Sequence, residues 1–338
     1  MLYKYLQPLL AVALGLGAGL LVTQFAGENP WHVLCILGKS AFGSRYDIGM
    51  TLFYSTPLIF TGLSVAMAFH AGLFNIGAEG QLAFGALAAA YIGTRFPNYP
   101  KIIAPLLATI GAFIAGGIWG WIPGWLRARR GSHEVINTIM LNFVAAGITS
   151  WLTLYYLKNP ESQNPETAAI GLNYHLPHFS FFENTPLSWA FFLALGVTFL
   201  VWFLLWHTTI GYKIRAVGQN EIAAKAAGID SGKIKILAMS LAGGIAGLVG
   251  VSEVLGNAGR FRLGFSPDYG FIGIAVALLG RNKPLGVLMS ALLFGALHKG
   301  TADLDLETEF VTRDLSLILQ SLIILSVTAD GLWSWMKK

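Results

Sequence analysis

An all-α, polytopic membrane helix bundle is the fold class that this 338-residue sequence predicts, and three observations predict it. Charged residues make up only 12% of the chain, where soluble domains carry about 25%. Hydrophobic residues reach 55% and the mean hydropathy is +0.62. Charge-free or nearly charge-free runs recur along the whole length, and the 40 glycines suit helices that approach closely through small residues.

The first run, 6–25, follows Lys4 and is long enough to span a hydrocarbon core about 30 Å thick. A cleavable signal peptide is the competing reading, but Gln24-Phe25-Ala26 is a poor small-x-small cleavage site. Further runs fall at 48–69, 81–94, 102–122, 135–157, 187–206, 236–254, 269–280, 284–298 and 315–332, giving about ten segments. The runs 81–94 and 269–280 are short for an upright crossing. Short, glycine-interrupted segments survive at membrane depth only beside protein or a water-filled cavity, so they point to a translocation path. Trp119, Trp121 and Trp125 beside Arg127 read as an interfacial belt.

Lys and Arg set the orientation. With the amino terminus inside, the cytoplasmic side holds Lys4, Arg127, Arg129, Arg130, Lys213, Arg215, Lys225, Lys233, Lys235, Arg281, Lys283, Lys337 and Lys338. The smaller share lies outside, including Arg260, Arg262, Lys299 and Arg313, together with the acidic Asp303, Asp305, Glu307 and Glu309. Both termini are therefore placed in the cytoplasm, with an outer loop at about 158–186 and a cytoplasmic loop at about 207–235. Residues 1–338 read as one transmembrane domain. The net charge of +5 follows from this orientation rather than from nucleic-acid binding. The single cysteine, Cys35, forbids an intrachain disulfide, and there is no metal-spaced His/Cys cluster and no Walker-type loop.

The polar stretch Gly218–Asp230, GQNEIAAKAAGID, sits between two apolar spans. Asn220 suits an N-cap, Glu221 the positive end of a helix dipole, and Gly228 a helix stop. Glu221 and Lys225 are four residues apart in the stabilising order. Ala223, Ala224 and Ala227 would form a smooth face flanked by Ile222 and Ile229, able to enter a groove on another protein. A well-capped surface helix is the bland alternative.

The second candidate site is Pro57–Gln81, where Gly72, Gly77 and Gly80 interrupt a helix around Asn75, Glu79 and Gln81. An ionisable residue beside a broken helix is a functional candidate. Phe74, Asn75, Glu79 and Gln81 line the expected solute path, joined by Asn137 and Asn142. Helix capping and interhelical hydrogen bonding remain open for the amides. Glu253 reads as a residue at the outer interface.

Three blocks carry a family resemblance: GLFNIGAEGQ at Gly72–Gln81, RAVGQNEIAAKAAGID at Arg215–Asp230, and GFIGIAVALLGRNKPLG at Gly270–Gly286. With them the chain resembles permease subunits of ATP-binding-cassette importers that pair with basic-membrane-protein lipoproteins and import nucleosides. It is more distantly similar to ribose and branched-chain amino-acid permeases. The resemblance implies half of a membrane pore in a bacterial cytoplasmic membrane, a second homologous permease, a cytoplasmic ATPase and an external binding lipoprotein. The chain itself would be no enzyme and hold no cofactor, with ATP and Mg bound by the ATPase. Gly218, Asn220, Glu221, Ala223, Ala224, Ala227, Gly228 and Ile229 correspond to the loop that such permeases insert into the ATPase. The cargo implied is a purine or general nucleoside, with a sugar or branched-chain amino acid as alternatives. A gradient-driven secondary transporter using Glu79 or Glu253 is the rival from another class.

Overall fold

The computed structural model describes residues 3–182, 184–308, 311 and 314–328. Glu309, Arg313, Lys337 and Lys338, with the end of the 315–332 run, lie outside the described residues, so the placement of the carboxyl terminus does too. The helices are α1 Tyr3–Phe25, α2 Pro30–Phe42, α3 Arg45–His70, α4 Ala78–Arg95, α5 Ile103–Arg130, α6 Glu134–Tyr155 and α7 Ala190–His207. They continue as α8 Thr209–Gln219, α9 Glu221–Ala226, α10 Ser231–Gly247, α11 Tyr269–Leu279, α12 Pro284–Ala302, α13 Leu304–Glu307 and α14 Leu315–Thr328. Among the described residues there is no extended strand, only isolated bridges such as Glu166 with Arg262.

Every apolar run coincides with a helix. Among the described residues six helical stretches are long and apolar enough to cross a membrane: Arg45–His70, Ile103–Arg130, Glu134–Tyr155, Ala190–His207, Ser231–Ala258 and Pro284–Ala302. α2 was not anticipated, because His32 and Lys39 interrupt its apolar run; Asn29 caps it by accepting from the Trp31 N–H, with Pro30 opening the first turn. The outer loop holds two 3₁₀ turns, Leu172–Tyr174 and Ser180–Phe182.

Helices in lipid gain little from hydrophobicity alone, so close packing decides which surfaces meet. α3 is the hub: 83% of its apolar window is buried within the chain, against 22% for α6, which leaves α6 peripheral. α5 and α10 meet backbone to backbone. A Cβ on Gly116 or Gly120 would run into the Gly243–Gly247 backbone, so these positions admit only glycine without separating the helices. α10 then passes into a π-helical segment, Val251–Ala258. Glu253 lies there, 6% exposed and accepting from the Asn257 side chain. After this segment the chain turns back as residues 259–268, tied to the outer loop by Thr167 N–H to the Phe261 carbonyl and Leu263 N–H to the Pro165 carbonyl.

Candidate functional site: a broken helix, a re-entrant cavity and a capped loop helix

The chain leaves α3 through Gly72, whose φ of +71° is the left-handed conformation glycine tolerates. The Leu73 N–H closes the end of α3 on the Ala68 carbonyl. Asn75 and Gln81 then face each other across the break. The Asn75 amide donates to Gln81 Oε1 at 2.8 Å and to Ser64 Oγ at 3.2 Å. Its Oδ1 accepts from Gln81 Nε2 at 3.0 Å and from the Gly77 N–H at 3.1 Å. Both side chains are buried, Asn75 at 0% exposed, so this pair locks the break and its hydrogen bonds are spent internally.

Asn142 on α6 clamps the same break from the side. It donates to the Ile76 carbonyl and accepts from the Gly80 N–H, both at 2.9 Å. Those backbone groups have lost helical partners, and leaving them unmade in lipid would be costly. Glu79 points the other way. Its Oε2 accepts from the Gly270 N–H at 2.7 Å, in the first turn of α11. A carboxylate in that position complements the positive end of the helix. The two half-helices α4 and α11 thus meet with their amino ends together, and a Cβ on Gly270 would collide with the Glu79 backbone.

A cavity of about 190 Å³ opens beside this meeting point. Its polar lining includes Glu79, Asn142, Ser150 and Ser266, and its apolar wall includes Phe261 and Phe265 of the re-entrant segment.

The loop helix is the second element of the site. The Asn220 side chain caps α9 by accepting from the Ala223 N–H at 3.0 Å. Gly228, with φ +77°, ends it, and the Ile229 N–H reaches back to the Ala224 carbonyl. Glu221 binds Lys225 at 3.0 Å, Ser231 Oγ at 2.9 Å and Lys235 at 2.6 Å. These bonds, Lys235 first, hold its carboxyl down at about 2. Asp230 caps α10 through the Lys233 N–H at 3.1 Å.

With this geometry in view, comparison with known proteins is decisive for the family. Residues 48–328 match the family described as "Branched-chain amino acid transport system / permease component". The chain belongs to this family. The permease is 37% identical to the guanosine ABC transporter permease protein NupP of Bacillus subtilis over 329 residues, 96% of this chain and 93% of that one. It is also 37% identical to the nucleoside ABC transporter permease protein NupB of Lactococcus lactis, covering 88% of this chain and 84% of the other. The glucose ABC transporter permease protein TsgB13 of Haloferax volcanii is 31% identical, covering 95% and 86%. The permease is accordingly an integral membrane component of an ATP-binding-cassette transporter, a class that works with an ATPase and a substrate-binding protein.

The structure separates residues that the sequence grouped. Of the expected solute path, Glu79 and Asn142 reach the cavity, whereas Asn75 and Gln81 sit behind it as the lock. Phe74 packs edge-on against Phe69, and Asn137 bonds Ser132 at 2.6 Å in the first turns of α6, away from the cavity. In the loop helix Ala224 faces inward at 4% exposed, while Ala223, Ala227 and Gly228 are exposed with Ile222. The smooth face is therefore Ala223 and Ala227, without Ala224. Trp119 leaves the belt and stacks on Phe84 at 4.1 Å, beside the break. Ser150, Phe265 and Ser266 of the cavity were missed; only the Ser266-Pro267-Asp268 turn before α11 could have signalled the last of them.

Proposed function

We propose that the permease forms one half of a pore that imports nucleosides by alternating access, driven by a separate ATPase. The near-full-length identity of 37% to two nucleoside permeases carries this reading. The cavity is chemically suited to such a cargo, pairing aromatic faces at Phe261 and Phe265 with the polar Glu79, Ser150 and Ser266. Its volume of about 190 Å³ falls below the roughly 300–1,000 Å³ usual for small-molecule pockets. A second permease facing α4 and α6 would complete it. An external binding protein delivers the solute, and ATP with Mg is held by the ATPase alone.

In this reading residues 218–230 are the cytoplasmic element that docks on the ATPase, with Ala223 and Ala227 entering its cleft. Asn220 and Gly228 set the ends of the helix, Glu221 fixes it to α10, Ala224 seats it, and Gly218 and Ile229 flank it. The packed, single domain transmits its movement to the cavity.

Uptake by proteoliposomes holding the permease, its partner permease, the ATPase and the binding protein tests the cargo. Guanosine uptake is expected, with glucose and leucine excluded. Uptake of glucose but not guanosine would overturn the nucleoside assignment. Ala223→Trp or Ala227→Trp should leave membrane insertion intact and abolish solute-stimulated ATP hydrolysis. Normal stimulation in both variants would overturn the docking role.

A further inference from the structure

The loop helix has two mechanical outlets, and the second lies where the three sequence blocks converge. The first outlet is the Glu221 bonds to Ser231 and Lys235, which fasten α9 to α10. α10 continues through the π-helical segment into residues 259–268, one wall of the cavity. The second outlet starts at α8. Its beginning is fixed to α7: Thr208 Oγ1 accepts from the Gly211 N–H at 3.1 Å, and Arg215 Nε donates to the Leu205 carbonyl at 3.0 Å. Its end presses on the broken helix. A Cβ on Gly218 would collide with the His70 carbonyl and lie 2.8 Å from the Gly72 nitrogen, and a Cβ on Gly72 would lie 3.2 Å from Gly218 Cα. All of these are backbone atoms, which cannot rotate away as a side chain can.

His70 pins this joint to a third element. Its Nε2 lies 2.8 Å from the Asn282 carbonyl, in the α11–α12 turn. Arg281 and Asn282 there hold φ of +55° and +56°, a conformation that non-glycine residues adopt rarely and that presents this carbonyl. The imidazole edge rests on Trp206 at 5.2 Å. Gly72 is followed, eight residues on, by Gly80 at the cavity, and α11 carries Gly270 at its other end. The joint therefore holds the end of α3, where the chain enters the break, and the turn that follows α11.

We propose that the backbone contact of Gly218 with His70–Gly72, fastened by the His70–Asn282 hydrogen bond, transmits movement of residues 218–230 to the α4 wall of the cavity and to α11 behind it. His70 is a positioning residue in this scheme. The two walls of the cavity are then driven from the two ends of one docking element: α10 moves the re-entrant wall, and the joint moves the broken-helix wall. The proposal rests on the docking role given above to residues 218–230.

The test reads guanosine uptake per ATP hydrolysed in the reconstituted complex, with basal hydrolysis and ATPase co-purification measured alongside. Gly218→Ala should keep the ATPase bound and lower that ratio about tenfold, within the range for changes along a coupling route. His70→Phe keeps a ring against Trp206 but loses the bond, and should lower the ratio by about threefold to tenfold. His70→Gln, whose amide can donate to the Asn282 carbonyl, should restore it. A residue that merely supported folding would lower uptake and hydrolysis together, leaving the ratio fixed. Should Gly218→Ala prevent assembly, the His70 pair decides. If Ala227→Trp uncouples while Gly218→Ala and His70→Phe both keep the wild-type ratio, the docking role stands and the joint falls. If Ala223→Trp and Ala227→Trp also couple normally, both fall.

Discussion

The break at residues 71–80 and the loop helix at residues 220–230 are both short interruptions made with Asn, Glu and Gly, yet they are stabilised in opposite ways. In the break Asn75 and Gln81 pair with each other, buried from water, and the half-buried Asn142 satisfies orphaned backbone groups. In the loop helix the fastening is ionic and partly solvated, with the Glu221 side chain 38% exposed. Buried amide pairs are expensive to break because each lost partner leaves a desolvated group. Surface ion pairs contribute little and exchange readily for water or for a partner's charges. One region is fastened by buried amides, and the other by ion pairs open to water.

The largest effect should come from attacking the lock. Asn75→Leu leaves Gln81 with a buried, unpaired amide, and about 1–3 kcal/mol of stability should be lost in detergent-solubilised thermal unfolding. Adding Gln81→Leu should recover part of that loss, since no unpaired side-chain amide then remains. If the double variant is worse by the sum of the singles, the pair is not the lock described here.

Asn142→Ala exposes the Ile76 carbonyl and the Gly80 N–H, and should cost about 1–2 kcal/mol in the same assay. Unlike the change at Asn75, it also alters the cavity wall, so guanosine uptake should fall further than stability alone explains. An effect on stability without any on uptake would separate Asn142 from the solute path.

The two left-handed glycines sharpen the contrast between the regions. At Gly228 a Cβ meets nothing within 4 Å, so Gly228→Ala carries only the backbone penalty of about 1–2 kcal/mol. At Gly72 the same φ region is combined with the close Gly218 backbone, so Gly72→Ala should be the more damaging of the two. Equal losses of thermal stability would refute the close contact.

The smallest change is expected at the ion pairs. Glu221→Gln should cost no more than about 1 kcal/mol. Because folding lowers the Glu221 carboxyl from its ordinary 4.5 to about 2, its contribution is complete above pH 4.5 and fades as pH falls toward 2. Wild type should therefore lose its small advantage over Glu221→Gln across that window, measured by proteolytic cleavage near Gly228. An advantage that grows with acid would reverse the assignment.

Much of this was legible in sequence for identifiable reasons. Hydropathy marks apolar runs irrespective of fold, so each run became a helix, and the caps at Asn220, Gly228 and Asp230 follow from local backbone chemistry. α2 escaped because polarity at His32 and Lys39 hides a helix that lies partly against others. The amides were ambiguous for a different reason. Asn75, Asn137 and Asn142 are the same residue type near membrane segments, and only their neighbours in space distinguish a lock, a first-turn bond and a cavity clamp.

By itself, then, the sequence determined a membrane permease with a glycine-broken segment and a capped polar helix, because composition, hydropathy and capping act over a few residues. Tertiary structure alone decided that Glu79 caps α11, that Ala224 turns inward, and that Gly218 rests on Gly72. Those facts join residues separated by many helical turns, and close packing in three dimensions, which no local pattern encodes, is what brings them together.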